Sequence, residues 1–95
     1  MTASEQLLSD VKNWLDITWD DEAMDRKTSE AIKSGMAYIR RIGGGVCNFY
    51  KEGPHRQLLF EYCRYARSNA LERFGRNFQP ELLALQMDRL VMQDG

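Results

Sequence analysis

Apolar residues recur along most of the chain at intervals of three and four residues, which is the spacing of an amphipathic α-helix. A first short helix is predicted near the N-terminus, with Ser4 as its N-cap. Its apolar face consists of Leu7, Leu8, Val11, Trp14 and Leu15. The segment DITWDDE, residues 16–22, then interrupts the pattern.

A second, longer helix is predicted to begin near residue 20, because acids are favoured at a helix N-terminus and Thr18 and Asp21 have capping-box spacing. Its apolar arc consists of Met24, Thr28, Ala31, Ile32, Gly35, Met36, Ile39 and Ile42. A glycine inside a helix costs about 1 kcal/mol relative to alanine, so Gly35 predicts the close approach of another helix. The helix is expected to end at Gly43, which follows two arginines.

A third helix is predicted from His55 to about Phe74, entered through Pro54 and closed by Gly75. Its apolar stripe consists of Leu59, Tyr62, Cys63, Ala66, Ala70 and Phe74, and the two alanines are expected to pack tightly, for example against Gly35. A second group on this helix mixes arginine with apolar bulk and consists of Phe60, Arg64, Arg67 and Leu71.

The connector before this helix, residues 44–54, is predicted to be irregular or briefly extended. Val46, Phe49 and Tyr50 are more apolar than a free loop needs, so we expect the connector to fold against the core or against a neighbouring molecule.

A last helix is predicted from Pro80 to about Gln93. One face consists of Leu83, Met87, Leu90 and Val91, and the opposite face of Leu82, Leu85 and Met92. A small domain buries only one side of a terminal helix, so the second face is the candidate contact with another molecule. On this hypothesis, replacing Leu85 with Asp leaves the chain helical but stops assembly.

These elements predict an all-α protein in which residues 1–95 form a single domain. We expect a small bundle of about four helices, with two longer central helices and shorter terminal ones. No apolar run is long enough for a secretory signal or a membrane span. Cys47 and Cys63 are therefore expected to be reduced thiols in a cytosolic setting.

The net charge of -1 conceals an uneven distribution. Residues 1–37 contain eight acids and four bases, residues 38–80 three acids and eight bases, and residues 81–95 three acids and one base. Such separation favours pairing between copies or contact with a polyanion. The predicted basic surface of the third helix consists of Arg56, Arg64, Arg67, Arg73 and Arg76. Because Glu61 and Glu72 interleave with these arginines, a protein interface is favoured over sequence-specific DNA binding.

The sequence does not indicate a catalytic, cofactor-binding or metal-binding site, and an enzyme is not expected. The glycines at 43–45 follow a helix and lack the Lys-Ser or Lys-Thr pair of a phosphate loop. Cys47, His55 and Cys63 lack the paired spacing of a structural zinc site. The acids around residues 16–25 lack the glycine and the bidentate glutamate of a calcium loop.

Two stretches, LLSDVKNWLDITWDDEAMDRK (residues 7–27) and LLFEYCRYARSNALERFGRNFQPELLALQ (residues 58–86), resemble the head-tail connector proteins of tailed bacteriophages, also called adaptor or head-completion proteins. The matching positions of the first stretch are Val11, Lys12, Leu15, Ile17, Asp20, Asp21 and Asp25. In the second stretch, Tyr62–Phe74 and Glu81–Gln86 match the form associated with phages of Gram-positive hosts.

The resemblance implies a non-enzymatic protein of the virion, located at the head-tail junction and in the host cytoplasm during assembly. Its partners would be the portal protein, a stopper or tail-completion protein and further copies of itself in a ring. Packaged DNA would pass through the channel without sequence-specific recognition. From the residues alone, the candidate interface positions are Phe60, Arg64, Arg67, Leu71, Leu82, Leu85 and Met92.

Two other functions stay open at this point. The basic third helix is also compatible with a small helical DNA-binding regulatory protein, whose affinity would fall steeply with salt. A small enzyme or metalloprotein is the third hypothesis.

Overall fold

The structure, a computed structural model, describes residues 2–44 and 47–94, and side chains only as far as residue 88. Along this part of the chain it contains five α-helices and a short 3₁₀ turn, and no strand, which confirms the all-α prediction. The helices are α1 (Ala3–Trp14), α2 (Glu22–Gly43), α3 (Pro54–Arg67), α4 (Phe74–Asn77) and α5 (Gln79–Asp94), and the 3₁₀ turn spans Leu71–Arg73.

The starts of α1 and α2 follow from side-chain caps. Thr2, not Ser4, caps α1, because its hydroxyl oxygen accepts the Glu5 backbone N–H at 3.1 Å. Asp21 caps α2 by accepting the backbone N–H groups of Ala23 and Met24 at 2.9 and 3.2 Å. The predicted acidic start of the second helix is therefore correct to within two residues, with Asp21 as the cap itself.

The predicted ends of the second and third helices need correction. Gly43 is still helical, and Gly44, with φ of 89°, makes the turn out of α2. The third helix ends at Arg67 and not near Phe74, because Asn69 adopts φ of 57° and the Ala70 N–H bonds back to the Tyr65 carbonyl at 2.8 Å. The Asn69 conformation and the bond from Ala70 to Tyr65 are those of a Schellman motif. Gly75 lies inside α4 and closes nothing.

The core lies where α2 packs against α3, and α1 and α5 cover its two sides. A Cβ atom built on Gly35 would lie 2.8 Å from Leu59 Cδ1 and 2.8 Å from Tyr62 Cδ1, closer than carbon atoms can approach. The prediction that Gly35 marks the close approach of another helix is therefore confirmed. Its neighbours are Leu59 and Tyr62, however, and not the predicted Ala66 and Ala70.

The connector folds against this core through Phe49, which is fully buried. The Arg40 guanidinium lies over the Phe49 ring, 5.2 Å from its centroid, and Arg56 donates to the Phe49 carbonyl at 3.2 Å. Arg56 also forms an ion pair with Asp10 of α1 at 2.8 Å. Tyr50 is exposed, residues 47–53 contain no strand, and Val46 lies outside the described residues.

Candidate protein-interaction surface

The turn after α1 leaves two tryptophans at the surface. Asp16 adopts φ of 60°, and the Ile17 N–H bonds back to the Lys12 carbonyl at 2.8 Å, so α1 also ends in a Schellman motif. Ile17 is buried and anchors the turn, whereas Trp14 and Trp19 on either side are 40% and 47% exposed. The sequence pattern predicts Trp14 on the apolar face of the first helix. That prediction needs correction, because 40% of the Trp14 surface is exposed.

Two arginines from the last turns of α3 lie over these tryptophans. The Arg64 guanidinium is 5.5 Å from the Trp14 ring centroid, and the Arg67 guanidinium is 5.9 Å from that of Trp19. Arg67 also donates to the Leu15 carbonyl at 2.9 Å, which fixes α3 to the end of α1. We call Trp14, Trp19, Arg64 and Arg67 the tryptophan–arginine surface.

Phe60 supports this surface from below. It is buried, and its ring lies 5.8 Å from that of Trp14, in a tilted arrangement. Tryptophan and arginine are the residue types that contribute most to binding at protein interfaces, provided that neighbouring groups hold them in place. Cation–π stacking and the underlying phenylalanine give these side chains such support. The surface is therefore suited to binding a protein.

The second exposed apolar surface lies on α5, on the face that sequence reasoning assigned to the core. Leu83 and Met87 are 50% and 64% exposed, and we call this pair the α5 surface. Leu82 and Leu85 are only 7% and 3% exposed, since α5 packs on α2 through this side. The predicted choice of faces is reversed. A charge at Leu85 would disrupt the fold itself and would not test assembly.

The other sequence-predicted interface residues have different positions. Phe60 belongs to the core, and Arg64 and Arg67 are exposed as expected. Leu71 is exposed, but it lies on the 3₁₀ turn beyond α3 and so is not in helical register with them. The Met92 side chain lies outside the described residues.

The predicted basic surface of one helix is divided among several elements. Arg73 lies on the 3₁₀ turn and Arg76 on α4, because α3 ends early. Arg56 is paired with Asp10, and Arg64 with Glu61 at 2.6 Å. The arginines therefore do not form one continuous basic surface.

Cys63 lies in the core, and Cys47 packs against it. Among the described residues, no three His, Cys, Asp or Glu side chains come together as a metal site. Burial raises the pKa of the Cys63 thiol to about 12, and it also raises the pKa of Cys47, whose thiol donates to the Gly44 carbonyl at 3.3 Å. Both cysteines are free.

The acidic segment at the start of α2 is tied to α1 through a lysine. Lys12 forms ion pairs with Asp25 at 2.8 Å and with Asp20 at 3.4 Å, and the bond to Asp25 raises the pKa of Lys12. Asp20 and Asp25 therefore pair with Lys12, and Asp21 is the N-cap of α2, so three of the acids around residues 16–25 have structural partners.

Sequence reasoning missed Trp19 and the exposed side of Trp14. The available signal was the position of Trp19. It lies among acids, in a segment without helical periodicity that is not predicted to contribute to the core.

No protein-family model, curated protein or solved structure matches the chain. Within the described residues, every helix is too short or too polar to cross a membrane. The two surfaces and the sequence resemblance are therefore the observations that bear on function.

Proposed function

We propose that the chain is a structural protein of a tailed bacteriophage, a head-tail connector that assembles as a ring on the portal protein. In this role it extends the DNA channel and offers a docking surface to stopper or tail-completion proteins. The resemblance of residues 7–27 and 58–86 to that family supports the proposal. The structural observation that supports it is that the described residues of this small helical chain form two separate exposed apolar surfaces.

Two different surfaces are what a ring requires. In a closed ring each subunit contacts its neighbour head to tail, so two unlike patches of one chain meet. The tryptophan–arginine surface is formed by the end of α1 and by α3, whereas the α5 surface belongs to a helix that packs on α2 and α4. The first surface contains cations and the second is a pair of apolar side chains, so the two are unlike in chemistry as well as in position.

In this proposal the two surfaces make the contacts between neighbouring subunits of the ring. Arg64 and Arg67 remain interface residues from the sequence prediction, and Trp14, Trp19, Leu83 and Met87 replace Leu82 and Leu85. The alternative, a DNA-binding regulator that uses the basic third helix, has less support, because its arginines are spread over three elements and two of them are paired with acids. DNA would pass through the ring without being read.

The test is assembly with the portal protein encoded in the same genome. We expect native mass spectrometry of the mixed, purified proteins to show several copies of this chain on each portal assembly. Leu83→Glu and Trp19→Ser are each expected to weaken assembly at least about tenfold, because each removes an exposed anchor and not a core residue. Ser34→Glu, at an exposed position of α2 outside both surfaces, is the matched control.

The chain's genomic neighbours give a second test. A major capsid gene upstream and tail-completion genes downstream are expected. The proposal fails if the wild-type chain does not bind the portal protein and its gene has no virion genes beside it. If Leu83→Glu and Trp19→Ser both assemble like the wild type, the assignment of the two surfaces is wrong.

A further inference from the structure

A groove separates α2 from the end of α3, beside the tryptophan–arginine surface. It has a volume of about 350 Å³, and Leu15 is among the residues that line it. Its apolar wall includes Met24 and Ala31 of α2 and Ala66 of α3. A volume near the lower end of the range for ligand pockets indicates a small apolar group as the occupant.

Two of the uncharged polar groups in the wall, Thr28 and Cys63, do not compete for such an occupant, and the third, Asn69, is exposed. The Thr28 hydroxyl donates to the Met24 carbonyl at 2.8 Å, so its hydrogen is already used. Cys63 is buried behind the wall, and burial raises the pKa of its thiol so that it stays neutral. Apart from Lys27, Arg67 and Asn69, the wall therefore presents an apolar surface.

The charged side chains that line the groove are both cations. Lys27 stands on α2 and Arg67 on α3, and within the part of the chain that the structure describes no carboxylate lines the groove between them. Among the described residues, neither cation has an acidic partner. Arg67 is held by the Leu15 carbonyl and by the Trp19 ring, so its remaining N–H donors keep a fixed orientation.

We propose that this groove binds a short segment of a partner protein that carries a leucine-sized apolar side chain beside one or two carboxylates. The apolar side chain enters the groove, and the carboxylates pair with Lys27 and Arg67. Leu15 and Arg67 line the groove, and Arg67 also belongs to the tryptophan–arginine surface, so a segment that leaves the groove continues onto exposed tryptophan. That continuity favours a protein segment over a free small molecule. The inference does not depend on ring formation.

The experiment is an NMR titration of the ¹⁵N-labelled full chain with a capped peptide of alternating leucine and glutamate. We expect the amide signals of Thr28, Ala31 and Ala66 to shift in a saturable manner. Lys27→Glu is expected to weaken binding about tenfold, because an attraction at an exposed site becomes a repulsion. Lys33→Glu, an exposed lysine of the same helix outside the groove, is expected to change the affinity less than twofold.

Two further peptides separate the apolar and the charged contributions. Replacing leucine by alanine, or glutamate by lysine, is expected to abolish the shifts at these three amides. The proposal is overturned if the leucine–glutamate peptide leaves them unchanged, if the lysine peptide binds equally well, or if Lys27→Glu and Lys33→Glu weaken binding to the same extent. The assay uses the isolated chain, so its outcome is independent of portal binding.

Discussion

Replacing Gly35 with alanine tests the closest helix contact in the protein. In an isolated helix this change is stabilising by about 1 kcal/mol, because glycine has the greater conformational freedom when unfolded. In the folded chain the added carbon would lie 2.8 Å from Leu59 Cδ1 and 2.8 Å from Tyr62 Cδ1. The sign of the effect therefore depends on whether those two side chains can move.

The structure leaves them little room. Leu59 is fully buried, and the Tyr62 ring packs against Phe74 at 5.3 Å and against Tyr38 at 5.7 Å between centroids. Overpacking a core of this kind costs about 1 to 3 kcal/mol. After the gain in helix propensity is subtracted, we expect Gly35→Ala to lower the free energy of unfolding by about 1 kcal/mol. For a domain of this size that corresponds to a fall in Tm of about 4 to 8 °C.

Thermal unfolding followed by circular dichroism measures this difference, and Gly43→Ala is the matched control. A Cβ atom on Gly43 would make ordinary contacts of 3.6 Å with Leu85 and 3.7 Å with Cys47, so that variant should be as stable as the wild type or slightly more stable. If Gly35→Ala is equally stable or more stable than the wild type, the reasoning about the helix contact is refuted.

Two further predictions concern an ion pair and the thiols. Arg56→Met should lower stability at neutral pH by about 1 to 2 kcal/mol, because it removes bonds to Asp10 and to the Phe49 carbonyl. Arg64→Met breaks an exposed ion pair with Glu61 and the contact with the Trp14 ring, and should cost less than about 1 kcal/mol. The hydrogen bond from Arg56 lowers the pKa of Asp10. The ionised carboxylate therefore stabilises the fold at pH values above its ordinary pKa, and this stabilisation is lost as the pH falls through the lowered pKa. Urea unfolding below about pH 4 should therefore show a smaller difference between Arg56→Met and the wild type, and a constant difference would contradict this assignment. In a Cys47→Ser variant, the remaining thiol of Cys63 should react with Ellman's reagent only as fast as the chain opens, because it is buried and protonated; prompt labelling in native buffer would contradict its burial.

Local signals in the sequence were sufficient for several features of the fold. The acids before α2 placed its start within two residues, because a cap and the helix dipole act over a single turn. Gly35 marked a close helix contact because glycine inside a helix is costly unless another element needs the space. The apolar connector predicted a segment folded against the core, and Phe49 is buried there.

The candidate surfaces could not be obtained in the same way. Apolar residues occur on several sides of α5, so periodicity alone gave no reason to prefer one face. The choice was made by packing, since Leu85 fits against Gly43 at the end of α2, where no side chain intervenes. Because Leu85 packs against α2, Leu83 and Met87 are left exposed, which is the opposite of the prediction.

By itself, the sequence determined the all-helical class, the start of α2 and the glycine at its closest contact, because these depend on spacing and on interactions within one or two turns. Only the tertiary structure decided which side of α5 is buried, and that Arg64 and Arg67 lie over Trp14 and Trp19. Each of these features joins residues that are distant in sequence, and their contact energies exist only once the helices have packed.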